Sequence, residues 1–191
     1  QEFIRFLAEG GVLKFGSFKL KSGRIAPYFQ NAGEYKKGSQ IKRLGEFYAD
    51  CIAENKIPVD ALFGPAYKGI PLALSAAVAL YEKYGIDAYY CFDRKEAKDH
   101  GEGGMFVGKQ PKLRGAADVE ITGMVITVDR MEKALGSERS AVQQALEEEG
   151  VRVYSIVTIR DIVQALEEGI IEGKEHIPAI REYLAEYGAK Y

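Results

Sequence analysis

The regular alternation of short strand-like runs with helical segments is the feature that most constrains the fold of this chain. Strand-like apolar runs occupy residues 61–63, 88–92, 124–128 and 151–157, and helical patterns occupy 41–52, 70–81, 140–149, 161–166 and 178–187. Alternating strands and helices form a mostly parallel sheet between helical layers, and ligands bind at the carboxyl ends of its strands. The sequence therefore predicts an α/β fold with a doubly wound, mostly parallel sheet.

The first 35 residues follow a different pattern. Phe3, Phe6 and Leu7 share one face of a predicted helix, and two short strand-like pieces follow at 18–20 and 25–29. This segment is predicted to be a small N-terminal hood on a single domain that spans the whole chain. The helix after it is expected to have Ser39 as its N-cap.

Charge and cysteine content narrow the function classes. The formal net charge is −2, whereas proteins that coat nucleic acid carry a large basic surplus. No apolar run is long enough to cross a bilayer. Cys51 and Cys91 have no Cys or His partners at metal-site spacing, so buried free thiols are predicted, as suits a reducing compartment. We expect a cytoplasmic protein without nucleic-acid or membrane partners.

The segment from Arg94 to Gly104 is rich in cations and glycine. It contains Arg94, Lys95, Lys98 and His100, and three of its last four residues are Gly. Its low apolar content predicts a mobile surface loop. A solvated charge run is one interpretation. The glycines favour another, a lid that closes its cations over an anionic ligand.

A strand-to-helix turn at residues 64–69 is a second candidate site. Its backbone N–H groups and the following helix N-terminus suit a phosphate, and Lys68 adds a positive charge. The competing interpretation is a Gly-Pro turn that serves packing alone.

Two further features suit a flat, anionic heterocycle. Within residues 20–33, Phe29 is a candidate for stacking on a ring and Gln30 for hydrogen-bonding to it, the alternative being an ordinary hairpin with core aromatics. Arg130 follows the strand at 124–128, where it suits either a ligand carboxylate or a surface salt bridge.

Together these segments make the chain resemble bacterial-type orotate phosphoribosyltransferases, which belong to the type I phosphoribosyltransferase family. The resemblance covers nearly the whole chain and is carried by the segment 94–104, by Phe-Gly-Pro-Ala-Tyr-Lys-Gly at 63–69 and by Leu-Lys-Ser-Gly-Arg at 20–24. It implies transfer of a phosphoribosyl group from 5-phosphoribosyl 1-diphosphate (PRPP) to orotate, which gives orotidine 5′-monophosphate on the pathway to UMP. It also implies Mg²⁺ with the diphosphate, and a homodimer whose loops reach into the neighbouring active site.

The resemblance further assigns roles to individual residues. The PRPP-binding set that it implies is Lys21, Tyr67, Lys68, Arg94, Lys95, Lys98 and His100. Lys98 and His100 would be catalytic, with Lys98 as the central cation. The orotate-binding set would be Phe29, Gln30 and Arg130. Gln30 departs from the family pattern, in which an aromatic residue is expected, and no metal ligand from the protein is identified.

One element of the family pattern is absent. A strand that ends in two acidic residues, followed by a Thr- and Gly-rich turn for the 5′-phosphate and a helix, should precede the strand that leads to Arg130. A unit of about two dozen residues is predicted to be missing between Gly115 and Ala116.

Two hypotheses explain this gap. In the first, the intact protein carries the segment and is an active enzyme. We favour it, because loss of an internal strand and helix would cost more than the marginal stability of a domain. In the second, the deletion is real and activity is very weak or absent, which leaves a protein that binds orotate or nucleotides. A phosphoribosyltransferase for another base is a further alternative.

Overall fold

The fold is that of a computed structural model, which describes residues 1–98, 104–108 and 120–191. The chain forms two compact units. Unit 1 combines Gln1–Tyr35 with Met124–Tyr191, and unit 2 is Lys36–Gly123. The segment predicted to be a hood therefore lies in the same unit as the C-terminal part of the chain.

The helices and strands follow one another in the predicted alternation. In chain order they are α1 (Glu2–Glu9), β1 (Leu13–Lys19), β2 (Ile25–Gln30), α2 (Gly38–Glu54), β3 (Ala61–Phe63), α3 (Gly69–Tyr84), β4 (Tyr89–Lys98), β5 (Gly104–Gly108), β6 (Met124–Asp129), α4 (Ala141–Glu149), β7 (Val153–Thr158), α5 (Ile159–Glu167) and α6 (Ile177–Tyr187).

Unit 1 contains an antiparallel hairpin, β1–β2, and a parallel pair, β6–β7. Its core includes the fully buried side chains of Ile4, Leu7, Ile159 and Ile180. Helix α5 begins directly after β7, because the Asp161 carboxylate accepts a 2.6 Å hydrogen bond from the backbone N–H of its N-cap residue.

Unit 2 joins one parallel and one antiparallel strand pair. Strand β4 pairs in parallel with β3 and antiparallel with β5. Helices α2 and α3 pack closely, since a Cβ added at Gly45 would collide with the backbone of Ser75. Leu44 and Leu80 are fully buried in this unit. The parallel pairs of the two units, together with their helices, confirm the α/β class.

Several sequence expectations are confirmed at the level of single residues. The helix predicted at 140–149 is α4, and Gly150 ends it at φ +68°. Its N-cap is Ser140, which was not predicted as a cap and accepts a hydrogen bond from the Gln143 N–H. Cys51 and Cys91 are buried free thiols, and burial raises the pKa of each. Apart from these expectations, none of the helices that the structure describes is sufficiently long and apolar to span a membrane, and this finding does not test the expected absence of membrane partners.

Two expectations were wrong. Ser39 is not an N-cap, because α2 begins one residue earlier and the Gln40 side chain accepts the Lys37 N–H at 3.0 Å. Arg94 to Lys98 are not a loop but continue β4, where Lys98 pairs with Gly104 of β5. The register of the β4–β5 ladder shifts between Asp93 and Lys98, and the side chains of Lys95 and Glu96 are exposed. Residues 99–103 lie outside the described residues.

Candidate active site

The turn between β3 and α3 closes tightly on itself in unit 2. The Gly64 N–H donates to the Cys91 carbonyl at 3.0 Å, and the Gly69 N–H donates to the Pro65 carbonyl at 2.9 Å. A Cβ at Gly69 would lie 2.5 Å from Cδ of Pro65, so both ends of the turn need glycine for close backbone approach.

Strand β4 holds this turn through two side chains. The Asp93 carboxylate accepts the Ala66 N–H at 2.6 Å, and Nζ of Lys95 lies 4.7 Å from the centre of the Tyr67 ring. The second geometry is a cation–π contact. It brings together Tyr67 and Lys95, two residues of the predicted PRPP-binding set that come from different elements of the same unit.

The other predicted diphosphate residues are located as follows. Lys68 is exposed just before α3, and Arg94 is partly buried in β4. The backbone of Lys98 belongs to β4. His100 lies outside the described residues. The roles of all four stay predictions.

The hairpin of unit 1 carries the predicted Lys21, Phe29 and Gln30. Lys21 is exposed in the turn between β1 and β2, which the Leu20 N–H closes by donating to the Arg24 carbonyl at 2.9 Å. Phe29 is 37% exposed and stacks on Phe18 at a centroid distance of 5.5 Å. Nε2 of Gln30 is buried and has no hydrogen-bond partner among the described residues.

Arg130 lies just after β6 in unit 1, within a buried polar cluster. Its Nε and Nη2 donate to Glu132 Oε1 at 2.8 and 2.6 Å, and its guanidinium carbon lies 4.7 Å from the centre of the Tyr28 ring. Burial disfavours the charged guanidinium and acts to lower the pKa of Arg130. The electrostatic interactions with Tyr28 and Glu132 outweigh this effect of burial and raise the pKa. Arg130 is therefore a permanent cation.

The same cluster changes the acidity of Tyr28. Burial is the main cause that raises the pKa of this phenol, and the hydrogen bond to Glu132 adds to it. Tyr28 Oη donates to Glu132 Oε1 at 2.9 Å, so the phenol acts as a neutral donor.

The backbone at Arg130 is held by the preceding residue. Asp129 is buried, and its carboxylate accepts the Met131 N–H at 2.8 Å and the Tyr191 hydroxyl at 2.8 Å. Met131 has φ +54°, a left-handed conformation uncommon for a residue with a side chain. The Asp129 side chain thus fixes the bend from which Arg130 and Glu132 project.

Sequence reasoning missed the acidic partners in both units. Asp93 and Glu132 were not singled out, although each lies within two residues of a predicted cation, Arg94 or Arg130. The alternation of opposite charges in Asp-Arg-Met-Glu at 129–132 was the available signal for the unit 1 cluster.

Comparison with known proteins gives near full-length matches. No family model matches the sequence. The chain is 44% identical to the orotate phosphoribosyltransferase of Thioalkalivibrio sulfidiphilus over 209 aligned positions, which cover 98% of this chain and 97% of the relative. It is 43% identical to that of Clostridium botulinum over 220 positions, which cover 100% and 98%.

Solved structures agree with this match. The crystal structure of the orotate phosphoribosyltransferase of Francisella tularensis aligns with a TM-score of 0.85 and 35% identity, over 99% of this chain and 100% of that one. The UMP synthase of Leishmania donovani shares the fold, with a TM-score of 0.71 at 18% identity, over 97% of this chain and 42% of that one.

Both sequence alignments are longer than the chain. Their 209 and 220 positions exceed its 191 residues by 18 and 29, so each relative has residues without a counterpart here. An absent strand-plus-helix unit would produce such a difference. Its place between Gly115 and Ala116 lies outside the described residues and stays a prediction.

Proposed function

The chain belongs to the orotate phosphoribosyltransferase family, and on that basis we propose that it transfers the phosphoribosyl group of PRPP to orotate. The reaction releases pyrophosphate, gives orotidine 5′-monophosphate and is a step of pyrimidine biosynthesis. The observation that carries this conclusion is the 44% identity over 98% of the chain and 97% of the relative. The chain is therefore a glycosyltransferase-type enzyme.

On the PRPP side, cations near the β3–α3 turn act on the leaving group. When the bond at the anomeric carbon breaks, negative charge develops on the diphosphate, and preorganised cations there stabilise the transition state. Lys68 and Lys95 are exposed in unit 2, and Tyr67 carries Lys95 on its ring. These features support diphosphate binding by all three residues.

The remaining PRPP roles rest on the family pattern. They belong to Lys21, Arg94, Lys98 and His100, with Lys98 as the central cation and His100 as the second catalytic residue.

On the orotate side, Arg130 binds the carboxylate and Phe29 stacks against the ring. The unpartnered Nε2 of Gln30 supports donation of a hydrogen bond to a ring carbonyl.

Mg²⁺ would enter with the diphosphate and neutralise part of its charge. Sites for this ion commonly combine one or two carboxylates with substrate phosphates. The described residues contain no group of three or more potential metal ligands, and Lys68 and Lys95 are cations suited to phosphate oxygens. The proposed ligands of the ion are the diphosphate oxygens, since neither lysine can coordinate a cation.

A homodimer with shared active sites is also part of the proposal. Leu74, Val78 and Tyr81 lie at helical spacing on α3 and are 44%, 51% and 61% exposed. A contiguous exposed apolar face is typical of a protein interface, and a second copy of this chain is the proposed partner. Sedimentation velocity should give a dimer.

Cytoplasmic location is supported by the buried free thiols Cys51 and Cys91.

The test is a spectrophotometric assay for the loss of orotate on addition of PRPP and Mg²⁺. Turnover is expected. Lys68→Ala should raise KM for PRPP by about tenfold, the effect expected for loss of a charged hydrogen bond. Lys42→Ala, which removes another exposed lysine of the same unit, should leave KM unchanged.

A second candidate function follows from the length difference between this chain and its relatives. If the absent unit is a true deletion, the chain is a binding protein for orotate or a nucleotide. Orotate binding without turnover would support this candidate. Turnover would exclude it.

A further inference from the structure

Glu132 lies at the centre of the polar cluster of unit 1, which consists of Arg24, Tyr28, Arg130 and Glu132. Its side chain is 12% exposed and accepts two hydrogen bonds from Arg130 and one from the Tyr28 hydroxyl on the same oxygen, Oε1. Its other oxygen lies 3.7 Å from Nη1 of Arg24. Three side chains, from β2, from the hairpin turn and from the residue after β6, thus meet at one carboxylate.

These contacts leave one edge of the Arg130 guanidinium available. Nε and one N–H of Nη2 are used by Glu132, and the Tyr28 ring covers one face. Among the described residues, no hydrogen bond from Nη1 is seen, although the Tyr183 hydroxyl interacts electrostatically with the Arg130 side chain. The Nη1–Nη2 edge is the one that binds a carboxylate through two parallel hydrogen bonds. The Arg130 side chain is 28% exposed, so this edge is within reach of a ligand.

Glu132 is itself held in place. The Tyr28 hydroxyl and the Arg24 guanidinium both contact its carboxylate. Arg24 is in turn held by a 2.8 Å hydrogen bond that it donates to the Lys133 carbonyl and by the Tyr187 ring, whose centre lies 4.7 Å from the guanidinium carbon. A carboxylate held this firmly is suited to orienting Arg130. A carboxylate that competed with the ligand for Arg130 would have to leave these partners whenever the ligand bound.

The charge of the cluster suits a singly charged ligand. Arg24 and Arg130 contribute two positive charges and Glu132 one negative charge, which leaves one positive charge in a largely buried site. A cleft of about 330 Å³ in the same unit is lined by Ser22, Arg24, Arg130 and Glu132, among others. An uncharged pyrimidine would gain nothing from the remaining charge, whereas a pyrimidine carboxylate would.

We propose that Glu132 is a positioning residue for orotate selectivity, which holds Arg130 so that its Nη1–Nη2 edge binds the orotate carboxylate. This inference rests on the proposed function. It adds a residue that acts through Arg130, together with the basis for preferring a carboxylated pyrimidine to uracil.

The test compares Glu132→Ala and Glu132→Gln with the unchanged full chain by isothermal titration calorimetry against orotate, uracil and PRPP. Glu132→Ala should weaken orotate binding by roughly tenfold or more, as expected when a charged group loses its partner. Uracil and PRPP affinities should stay within about twofold, because neither ligand uses the Arg130 edge. Glu132→Gln keeps an acceptor oxygen and should recover part of the loss.

The matched control is Glu138→Gln. Glu138 lies six residues further on and pairs with Lys133 at 2.8 Å, but its side chain is 85% exposed, so all three affinities should be unchanged. If Glu132→Ala does not fold by circular dichroism, Glu132→Gln and Tyr28→Phe carry the test, and both should lower the ratio of orotate to uracil affinity.

Three outcomes would overturn the inference. Tighter orotate binding by Glu132→Ala would show that Glu132 competes for Arg130. Equal weakening for all ligands would show a structural role alone. Unchanged orotate binding in both Glu132 variants would show no role. Absence of orotate binding by the unchanged chain would instead refute the proposed function, on which this inference depends.

Discussion

At the residue scale, two glycines decide whether the backbone can close the turn after β3. Gly64 and Gly69 approach each other so closely that neither has room for a Cβ. The turn brings the backbone of Ala66 within 2.6 Å of the Asp93 carboxylate. The shape of the turn therefore depends on the absence of a side chain at Gly64 and Gly69 as well as on the hydrogen bond from Ala66 to the Asp93 side chain.

Gly64→Ala is predicted to lower the free energy of unfolding by about 1–3 kcal/mol, the usual cost of overpacking a closed site. The new Cβ would collide with the Gly69 carbonyl and lie 2.8 Å from Cβ of Ala73. Urea unfolding followed by circular dichroism measures the change. Gly38→Ala is the control, because that position has nothing within 4 Å, and its unfolding midpoint should not fall. Equal midpoints for the two variants would contradict this explanation.

At the element scale, helices α2 and α3 are joined by a polar contact as well as by apolar packing. Asp50 of α2 accepts hydrogen bonds from Lys83 and, at 2.6 Å, from the Tyr84 hydroxyl, both in the last turn of α3. Burial acts to raise the pKa of Asp50, but these two hydrogen bonds outweigh it and lower the pKa below the ordinary 3.8. The hydrogen bond to Asp50, with some burial, raises the pKa of Tyr84 to about 12.

These shifts predict how the contact depends on pH. Because the folded pKa of Asp50 is lowered, its stabilisation is present above pH 3.8 and is lost as pH falls through the folded value. Because the pKa of Tyr84 is raised, its contribution is present below pH 10.0 and is lost as pH rises through about 12.

Asp50→Asn is predicted to lower the free energy of unfolding at neutral pH by at most about 1 kcal/mol, as is usual for partly exposed ion pairs. The difference from the unchanged protein should shrink when urea unfolding is repeated below pH 3.8. Asp87→Asn, at an exposed position in the same unit, should have no effect at either pH. A difference that persisted undiminished in acid would show that the Asp50 charge is not involved.

At the scale of the whole molecule, unit 1 leaves apolar surface at its parallel strand pair. Among the described strands β6 pairs only with β7, and Met124 at its start is 51% exposed. Helix α4 buries none of its residues, and its Leu146 is also 51% exposed. An unpaired strand edge together with exposed apolar side chains in the same unit is uncommon in a complete domain. They support the hypothesis that the intact protein carries the absent segment.

Mass spectrometry of the intact protein is predicted to give a mass above the 21.1 kDa of these 191 residues. The excess should be at least roughly 2–3 kDa for a strand-plus-helix unit of about two dozen residues. A mass equal to 21.1 kDa would refute this hypothesis, and orotate binding without turnover would then be expected.

Much of the molecule was determined by local sequence alone. The order of strands and helices apart from β5, the end of α4 at Gly150 and the two buried thiols follow from periodicity, helix-stop signals and apolar surroundings, which act within a few residues along the chain. The motifs at 20–24, 63–69 and 94–104 were likewise sufficient to indicate the family.

Contacts between distant parts of the chain were decided only by the tertiary structure. Asp93 meets Ala66 across 27 residues, and Tyr28 meets Glu132 across 104. Likewise, β4 extends to Lys98, where it pairs with Gly104 of β5, a partner that charged residues do not predict by themselves. Local sequence predicted Arg130, but its orientation depends on Glu132, Tyr28 and Arg24, because a guanidinium is aimed by whichever groups the fold places around it.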